Sequence, residues 1–166
     1  MGETSSTIGF IVIVALFMII GLLSVVGSIV ITQKIFSPKA EQIFYGIFLT
    51  PIAGFYLAFT EYFGIETAWR LESVVVIIFC AIGLIGTRIS FALILGYLLH
   101  GVWDGLHELH THAGFSIFEP GHVTTIPLAY GVFCATYDFG MAAYFYTRHI
   151  EWDTAWCARL TRQTKT

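Results

Sequence analysis

Charged side chains are scarce in this sequence. Asp, Glu, Lys and Arg make up 11% of its 166 residues, against about 25% in an average soluble domain. Apolar residues reach 57%, and the mean hydropathy is +0.79. A soluble domain of this length has a large surface for its volume and needs more charge to cover it. We therefore predict that lipid contacts most of the surface, which makes the bilayer the first expected partner.

Basic stretches and cysteine motifs are also missing. The net charge is -3, and no run of Lys or Arg stands out, which argues against a nucleic-acid partner. Cys80, Cys134 and Cys157 stand far apart with no C-x-x-C spacing. We interpret them as small buried hydrophobic residues, because neither a disulfide framework nor a thiolate zinc site has this pattern.

Five long, mostly apolar runs fill the chain, and we predict that each forms a transmembrane helix. The run from Ile8 to Ile31 has 24 residues, and at about 1.5 Å per residue it exceeds a bilayer core of about 30 Å. Arg88 separates the third and fourth runs, and Gly83 and Gly86 before it favour a tight turn over one continuous helix. The predicted spans are residues 8–31, 43–60, 73–87, 89–107 and 125–147, in one all-α domain that covers residues 1–166.

Basic residues fall almost entirely on one side of this five-helix arrangement. Seven of the eight lie in the 32–42 loop, at the turn after the third run or in the C-terminal tail: Lys34, Lys39, Arg88, Arg148, Arg159, Arg162 and Lys165. The other side has Arg70 among several glutamates. Because cytoplasmic loops carry the excess of Lys and Arg, we predict a multi-pass protein of the cell (inner or plasma) membrane. Its N-terminus lies outside and its C-terminus inside.

The densest group of titratable side chains lies at the end of the fourth run, from His100 to His112. On a helix that advances about 100° per residue, His100, Asp104 and His107 fall on one stripe, and His110 lies at its edge. Imidazole and carboxylate groups at i, i+4 and i+7 can converge on one ion. Because the group contains no thiolate, it favours zinc or non-haem iron over copper(I).

A lone carboxylate, Asp138, interrupts the fifth run, where an ionised group is costly and marks a candidate functional site. Helical rise places Asp138 about 15 Å from Arg148 and His100 about 18 Å from Arg88, so the two groups lie at similar depth. The candidate metal ligands are His100, Asp104, His107, His110 and Asp138. Asp104 and Asp138 are also the candidate catalytic residues: Asp104 as a ligand or orienting group, and Asp138 as a ligand or general base.

The fourth and fifth runs carry a motif that resembles a known family. The motif is H-x-x-W-D-x-x-H (His100, Trp103, Asp104 and His107), combined with Tyr137-Asp138 in the last helix. It resembles a group of small bacterial multi-helix membrane proteins known only as a domain of unknown function, over about residues 43–147. The resemblance implies a membrane location and nominates His100, Asp104, His107 and Asp138, but it implies no reaction.

Two features depart from the pattern of that family. The second histidine of the motif is often doubled in the family, whereas Glu108 follows His107 here. The run at residues 8–31 is also longer than the family needs.

Two classes of function remain open. The first is a metal-dependent membrane enzyme that acts on an apolar or lipidic small molecule, by hydrolysis with zinc-activated water or by oxidation with iron and an external electron donor. The second is a non-enzymatic bundle, either a partner-binding subunit or a proton or ion relay, in which the cluster links helices. A cavity lined by the cluster favours the enzyme, whereas a continuous chain of ionisable groups between the two faces favours the relay.

Overall fold

The computed structural model describes the backbone of residues 2–163 and the side chains of residues 7–158. Five α-helices follow one another, with one 3-10 turn at Glu66–Ala68: α1 (Gly2–Ile35), α2 (Pro38–Phe63), α3 (Trp69–Gly86), α4 (Ser90–His112) and α5 (Tyr130–Gln163). Residues 2–163 contain no strand, so the predicted all-α class and the number of helices are confirmed. The side chains of Glu3, Arg159, Arg162 and Lys165, which enter the orientation argument, lie outside the described residues.

The helix ends follow local chemistry. Helix α2 begins at Pro38. Proline lacks an amide hydrogen, but the first amides of a helix have no hydrogen-bond partner within the helix anyway. The helix ends at Phe63 and is capped by Gly64, which lies in the left-handed region with φ +66°. Helices α3 and α4 are separate, as predicted, and Thr87, Arg88 and Ile89 form the tight turn between them. Glycine also sets the crossing of α2 and α3, because a Cβ at Gly46 would lie 2.7 Å from the Gly83 carbonyl oxygen.

The fifth helix begins later than the prediction of residue 125. The chain is not helical over residues 124–127, and Ala129 takes a left-handed φ of +61° just before the helix starts at Tyr130. The reason is a cap supplied by α4: the Glu108 carboxylate accepts hydrogen bonds of 3.0 Å from the amides of Ala129 and Gly131. At its other end α5 continues past the predicted residue 147 and reaches Gln163.

The helices pack as a bundle in which α4 and α5 form the central pair. Helix α3 covers α2 and α4 on one side, and α1 packs mainly against α5 on the other. The core is rich in aromatic rings and is filled by Val25, Tyr45, Leu49, Ala53, Val76, Phe79, Leu93, Ile94, Tyr97, Met141, Ala142, Tyr144, Phe145 and Trp152. Helix α1 meets α2 near their common turn, where the Thr32 and Tyr45 hydroxyls lie 2.9 Å apart.

Within the described part of the chain, three helical segments are long and apolar enough to cross a membrane: Thr7–Ile35, Pro38–Phe63 and Glu66–Gly86. Most of their surface faces away from the protein, since between 11% and 33% of each apolar window is buried. Helix α4 carries the largest share of the buried polar side chains, with five such residues: Ser90, His100, Asp104, His107 and Glu108. Helix α5 adds Asp138 to them in the interior.

Candidate functional site

Three side chains from the central helix pair meet in the interior. His100 and Asp104 stand one turn apart on α4, and Asp138 faces them from α5. The Nδ1 atom of His100 lies 2.7 Å from Asp138 Oδ2 and 3.1 Å from Asp104 Oδ2. Gly101 permits this approach, because a Cβ there would lie 3.2 Å from the Asp138 Cβ. We call His100, Asp104 and Asp138 the central cluster.

The central cluster is buried but its polar atoms are not all satisfied. All three residues are at most 1% exposed. Among the described residues, His100 Nε2 and Asp104 Oδ2 have no hydrogen-bond partner. Asp104 Oδ2 lies 3.1 Å from His100 Nδ1, but the hydrogen bond of that nitrogen is with Asp138. An unsatisfied polar atom in the interior is costly. A further binding partner that contacts the central cluster would reduce this cost.

The charges of the central cluster do not balance either. Two carboxylates face one imidazole, and within residues 7–158 no lysine or arginine forms an ion pair with Asp104 or Asp138. The three ligand atoms lie within 4.8 Å of one another, close enough to hold one metal ion. The coarse prediction of a buried His/Asp group able to bind a metal is therefore confirmed.

Tyr56 on α2 is a member of the site that the sequence does not reveal. Its hydroxyl donates a hydrogen bond to Asp104 Oδ1, and the residue is 1% exposed. Its ring also packs on His107, with the ring centroids 4.4 Å apart. A tyrosine in an apolar run is too common to be noticed by pattern alone, and its partner lies 48 positions away.

His107 lies on the stripe with His100 but has other partners. Its Nδ1 is 3.0 Å from the Trp103 carbonyl oxygen, and its Nε2 is 2.9 Å from Glu72 Oε1. The same Glu72 oxygen accepts the Thr124 amide at 2.9 Å. Because a carbonyl oxygen only accepts, Nδ1 carries a hydrogen, and the bond between Nε2 and the Glu72 carboxyl group needs a second hydrogen on one of these two groups. Both ring nitrogens are therefore engaged away from the central cluster.

The remaining histidines of the segment lie toward the 113–129 connection. His110 Nδ1 is 2.6 Å from the Ser116 hydroxyl, and burial together with the neighbouring His107 lowers the pKa of His110. His112 Nε2 is 3.0 Å from the Ile126 carbonyl oxygen. His122 pairs at 3.3 Å with Glu119 at the surface. The structure thus unites three of the five predicted ligands and places His107 and His110 elsewhere.

A cavity of about 340 Å³ adjoins the central cluster. Its lining is mostly apolar, and its polar end contains His100 and Asp138. The lining residues are Ser28, Phe48, Ile52, Phe55, His100, Tyr130, Phe133, Cys134, Tyr137 and Asp138. Ligand pockets are commonly apolar concavities of about 300–1,000 Å³ with a few placed polar groups, and this cavity fits that description.

Another buried carboxylate, Glu41, lies at the end of the bundle that contains the α1–α2 and α3–α4 turns. It accepts hydrogen bonds from the Tyr144 hydroxyl, from Arg148 Nη2 at 2.9 Å and from Trp152 Nε1 at 3.0 Å. Burial lowers the pKa of Arg148, but the hydrogen bond from Arg148 to Glu41 and the negative charge of Glu41 raise it. The raising effects are larger together, so the pKa of Arg148 lies above its usual value. We call these four residues the Glu41 network.

Comparison with known proteins identifies the family and no reaction. The model of a family of unknown function, DUF6010, matches residues 16–151. The chain belongs to this family. The match begins within α1, so most of the first predicted span lies inside the family region and is not an addition to it. No curated protein and no solved structure matches the chain.

Proposed function

We propose that this DUF6010 protein is a membrane enzyme that depends on one divalent metal ion held by His100, Asp104 and Asp138. Its substrate is an apolar or lipidic small molecule that occupies the adjoining cavity. The observation that carries the proposal is the position of an incompletely satisfied His/Asp/Asp group at the polar end of that cavity. Zinc or iron suits one imidazole and two carboxylates, and such an ion supplies Lewis-acid chemistry and an activated water.

Charge balance supports a divalent ion over a metal-free cluster. Two ionised carboxylates and a neutral imidazole carry two negative charges, which one divalent cation neutralises. Moving uncompensated charge into a low-dielectric interior is expensive. Without the cation, protons must neutralise the group.

The distances are also suited to a metal site. In a tetrahedral site with bonds of about 2.0–2.2 Å, ligand atoms lie about 3.4 Å apart. The separations of 2.7 Å and 3.1 Å from His100 Nδ1 to the two carboxylates are slightly shorter. Small side-chain rotations would bring the ligand atoms to this spacing. The Tyr56 hydroxyl donates a hydrogen bond to the other oxygen of the Asp104 carboxylate. Metal ligands are usually oriented by such a hydrogen bond.

The proposed topology has five membrane spans, with the N-terminus outside and the C-terminus in the cytoplasm. Helix α4 has 23 residues, which span about 35 Å at the helical rise. Five of its polar residues (Ser90, His100, Asp104, His107 and Glu108) are buried inside the bundle, which is how membrane helices accommodate such groups. This topology places the Glu41 network at the cytoplasmic face.

A metal-free polar network is the second candidate. The 2.7 Å distance from His100 Nδ1 to Asp138 is that of a charge-assisted hydrogen bond. In this case the central cluster links α4 to α5, and the protein is a non-enzymatic bundle.

Elemental analysis of purified protein separates the two candidates. We expect about one equivalent of zinc or iron per chain in the wild type after purification without metal-affinity tags or chelators. Asp104→Asn and Asp138→Asn should lose most of the metal, and His110→Gln, whose target lies outside the central cluster, should retain it. Metal-free wild type, or equal loss in all three variants, would overturn the proposal.

A further inference from the structure

The cavity beside the central cluster has an apolar wall and a wall that carries titratable groups. The apolar wall comes from α2, where Phe48, Ile52 and Phe55 stand at i, i+4 and i+7 and so lie on one helix face. The titratable groups are the deeply buried His100 and Asp138. A ligand that fills the cavity therefore needs a polar head and an apolar body.

The cavity is lined by Ser28 of α1 and by three residues of α2, and the sparse contact between these two helices leaves its side between them without a covering helix. Helix α1 packs on α5, where a Cβ at Gly21 would lie 2.9 Å from the Phe133 carbonyl oxygen. It meets α2 only near their turn, around Thr32 and Tyr45. Beyond that point the two helices leave a gap, and Phe55 on its edge is 49% exposed. In the five-span topology this gap faces the hydrocarbon region of the bilayer.

The size of the cavity limits the ligand to one chain. A volume of about 340 Å³ lies at the low end of the roughly 300–1,000 Å³ range of ligand pockets. Such a volume holds a single hydrocarbon chain and cannot enclose both chains of a phospholipid.

We propose that the substrate is a single-chain amphiphile with an oxygen-bearing head group, which enters sideways from the bilayer between α1 and α2. Its hydrocarbon chain lies along Phe48, Ile52 and Phe55, and its head reaches His100 and Asp138. This inference rests on the proposed function, because the metal ion at the central cluster is what offsets the charge of the two carboxylates and receives the head group.

Photolabelling in lipid nanodiscs tests this proposal. The probe is a saturated fatty acid that carries a diazirine in its chain, and mass spectrometry locates the labelled residues. We expect labels on the α2 wall and on Phe133, displaced by unlabelled fatty acid. Ile52→Trp should reduce this labelling at least roughly tenfold, because the larger ring fills the cavity. Ile47→Trp is the matched control, since Ile47 is 55% exposed on α2 outside the cavity lining, and it should leave the labelling unchanged.

A phosphatidylcholine with the same diazirine in one chain reports ordinary lipid contact. Equal labelling of the cavity by both probes, or equal loss in Ile47→Trp and Ile52→Trp, would overturn the substrate proposal. Metal content is measured on the same samples. Bound metal without specific fatty-acid labelling contradicts this inference alone, whereas metal-free wild-type protein contradicts the proposed function whatever the labelling.

Discussion

The Glu41 network and the central cluster are both built from buried polar side chains, and they differ in how completely these are satisfied. Glu41 receives hydrogen bonds from three side chains, and Arg148 balances its charge. In the central cluster, two carboxylates share one imidazole, and both His100 Nε2 and Asp104 Oδ2 lack partners among the described residues. A complete network stabilises a fold, whereas an incomplete one indicates a binding site.

The Glu41 network and the central cluster also differ in their position in the bundle. The Glu41 network joins α2 to α5 at one end of the bundle, where Trp156 packs beneath Arg88 at 4.2 Å and hydrogen-bonds Gln42 at 2.9 Å. Among the described residues of that region, no buried polar side-chain atom lacks a partner. The central cluster instead adjoins a cavity in the interior. The two regions should therefore respond in opposite ways when a carboxylate is removed.

The largest effect is expected from Glu41→Ala. Removing this carboxylate leaves the Arg148 guanidinium, the Tyr144 hydroxyl and the Trp152 indole without their acceptor. Because Arg148 is 19% exposed and reaches some water, we expect a loss of about 3 kcal/mol, at the lower end for a broken buried pair. Unfolding in detergent measures it. The control is Glu151→Ala, which removes the exposed partner of Arg148 and should cost less than about 0.5 kcal/mol. Equal losses would contradict a structural role specific to Glu41.

Tyr56→Phe should weaken metal binding while leaving the bundle folded. Loss of the hydroxyl removes the donor to Asp104 Oδ1, and removal of such a supporting group typically lowers metal affinity about 10- to 100-fold. Competition with a fluorescent metal indicator measures the affinity. Tyr97→Phe is the control, because the Tyr97 hydroxyl donates to the Tyr45 carbonyl oxygen at 3.1 Å and not to the central cluster. An affinity that falls equally in both variants would show that Tyr56 acts through packing alone.

Asp104→Asn provides the contrast with Glu41→Ala. In chelator-treated protein we expect the free energy of unfolding to rise by about 1 kcal/mol, because an amide then replaces one of two buried carboxylates that no cation balances. The asparagine oxygen can still accept from Tyr56. Thermal unfolding of both variants in the same detergent makes the comparison. A loss as large as that of Glu41→Ala would mean that the central cluster is a structural ion pair.

The smallest effect is expected from His122→Gln. This histidine lies in the connection between α4 and α5 and pairs with Glu119, but the two side chains are 54% and 83% exposed. Such a pair contributes little, so stability should change by less than about 0.5 kcal/mol and metal content should stay the same. Loss of metal from this variant would place the metal site in the connection and not between α4 and α5.

The sequence predicts the elements of the fold better than their contacts. Apolar runs and glycines indicate five helices and the turn at Arg88, because these depend on local composition. The start of α5 depends on Glu108, which caps it from another helix. The helical part beyond residue 147 is polar by composition, and its packing on Glu41 depends on Arg148 and Trp152 meeting α2.

The same distinction holds within the site. The i, i+4 spacing predicts that His100 and Asp104 adjoin, and the matching depths predict that Asp138 meets them. Periodicity also places His107 on the stripe, but the rotation of α4 against α3 pairs it with Glu72. That rotation results from packing of the whole bundle, and helical spacing contains no information about it.

Anomalous X-ray diffraction from crystals grown without added metal tests the central claim most directly. Data collected on either side of the zinc and iron absorption edges identify the ion and its position. The account predicts one peak between α4 and α5, about 2.0–2.2 Å from ligand atoms of His100, Asp104 and Asp138. Absence of a peak there, with the three side chains joined only by hydrogen bonds, would contradict it.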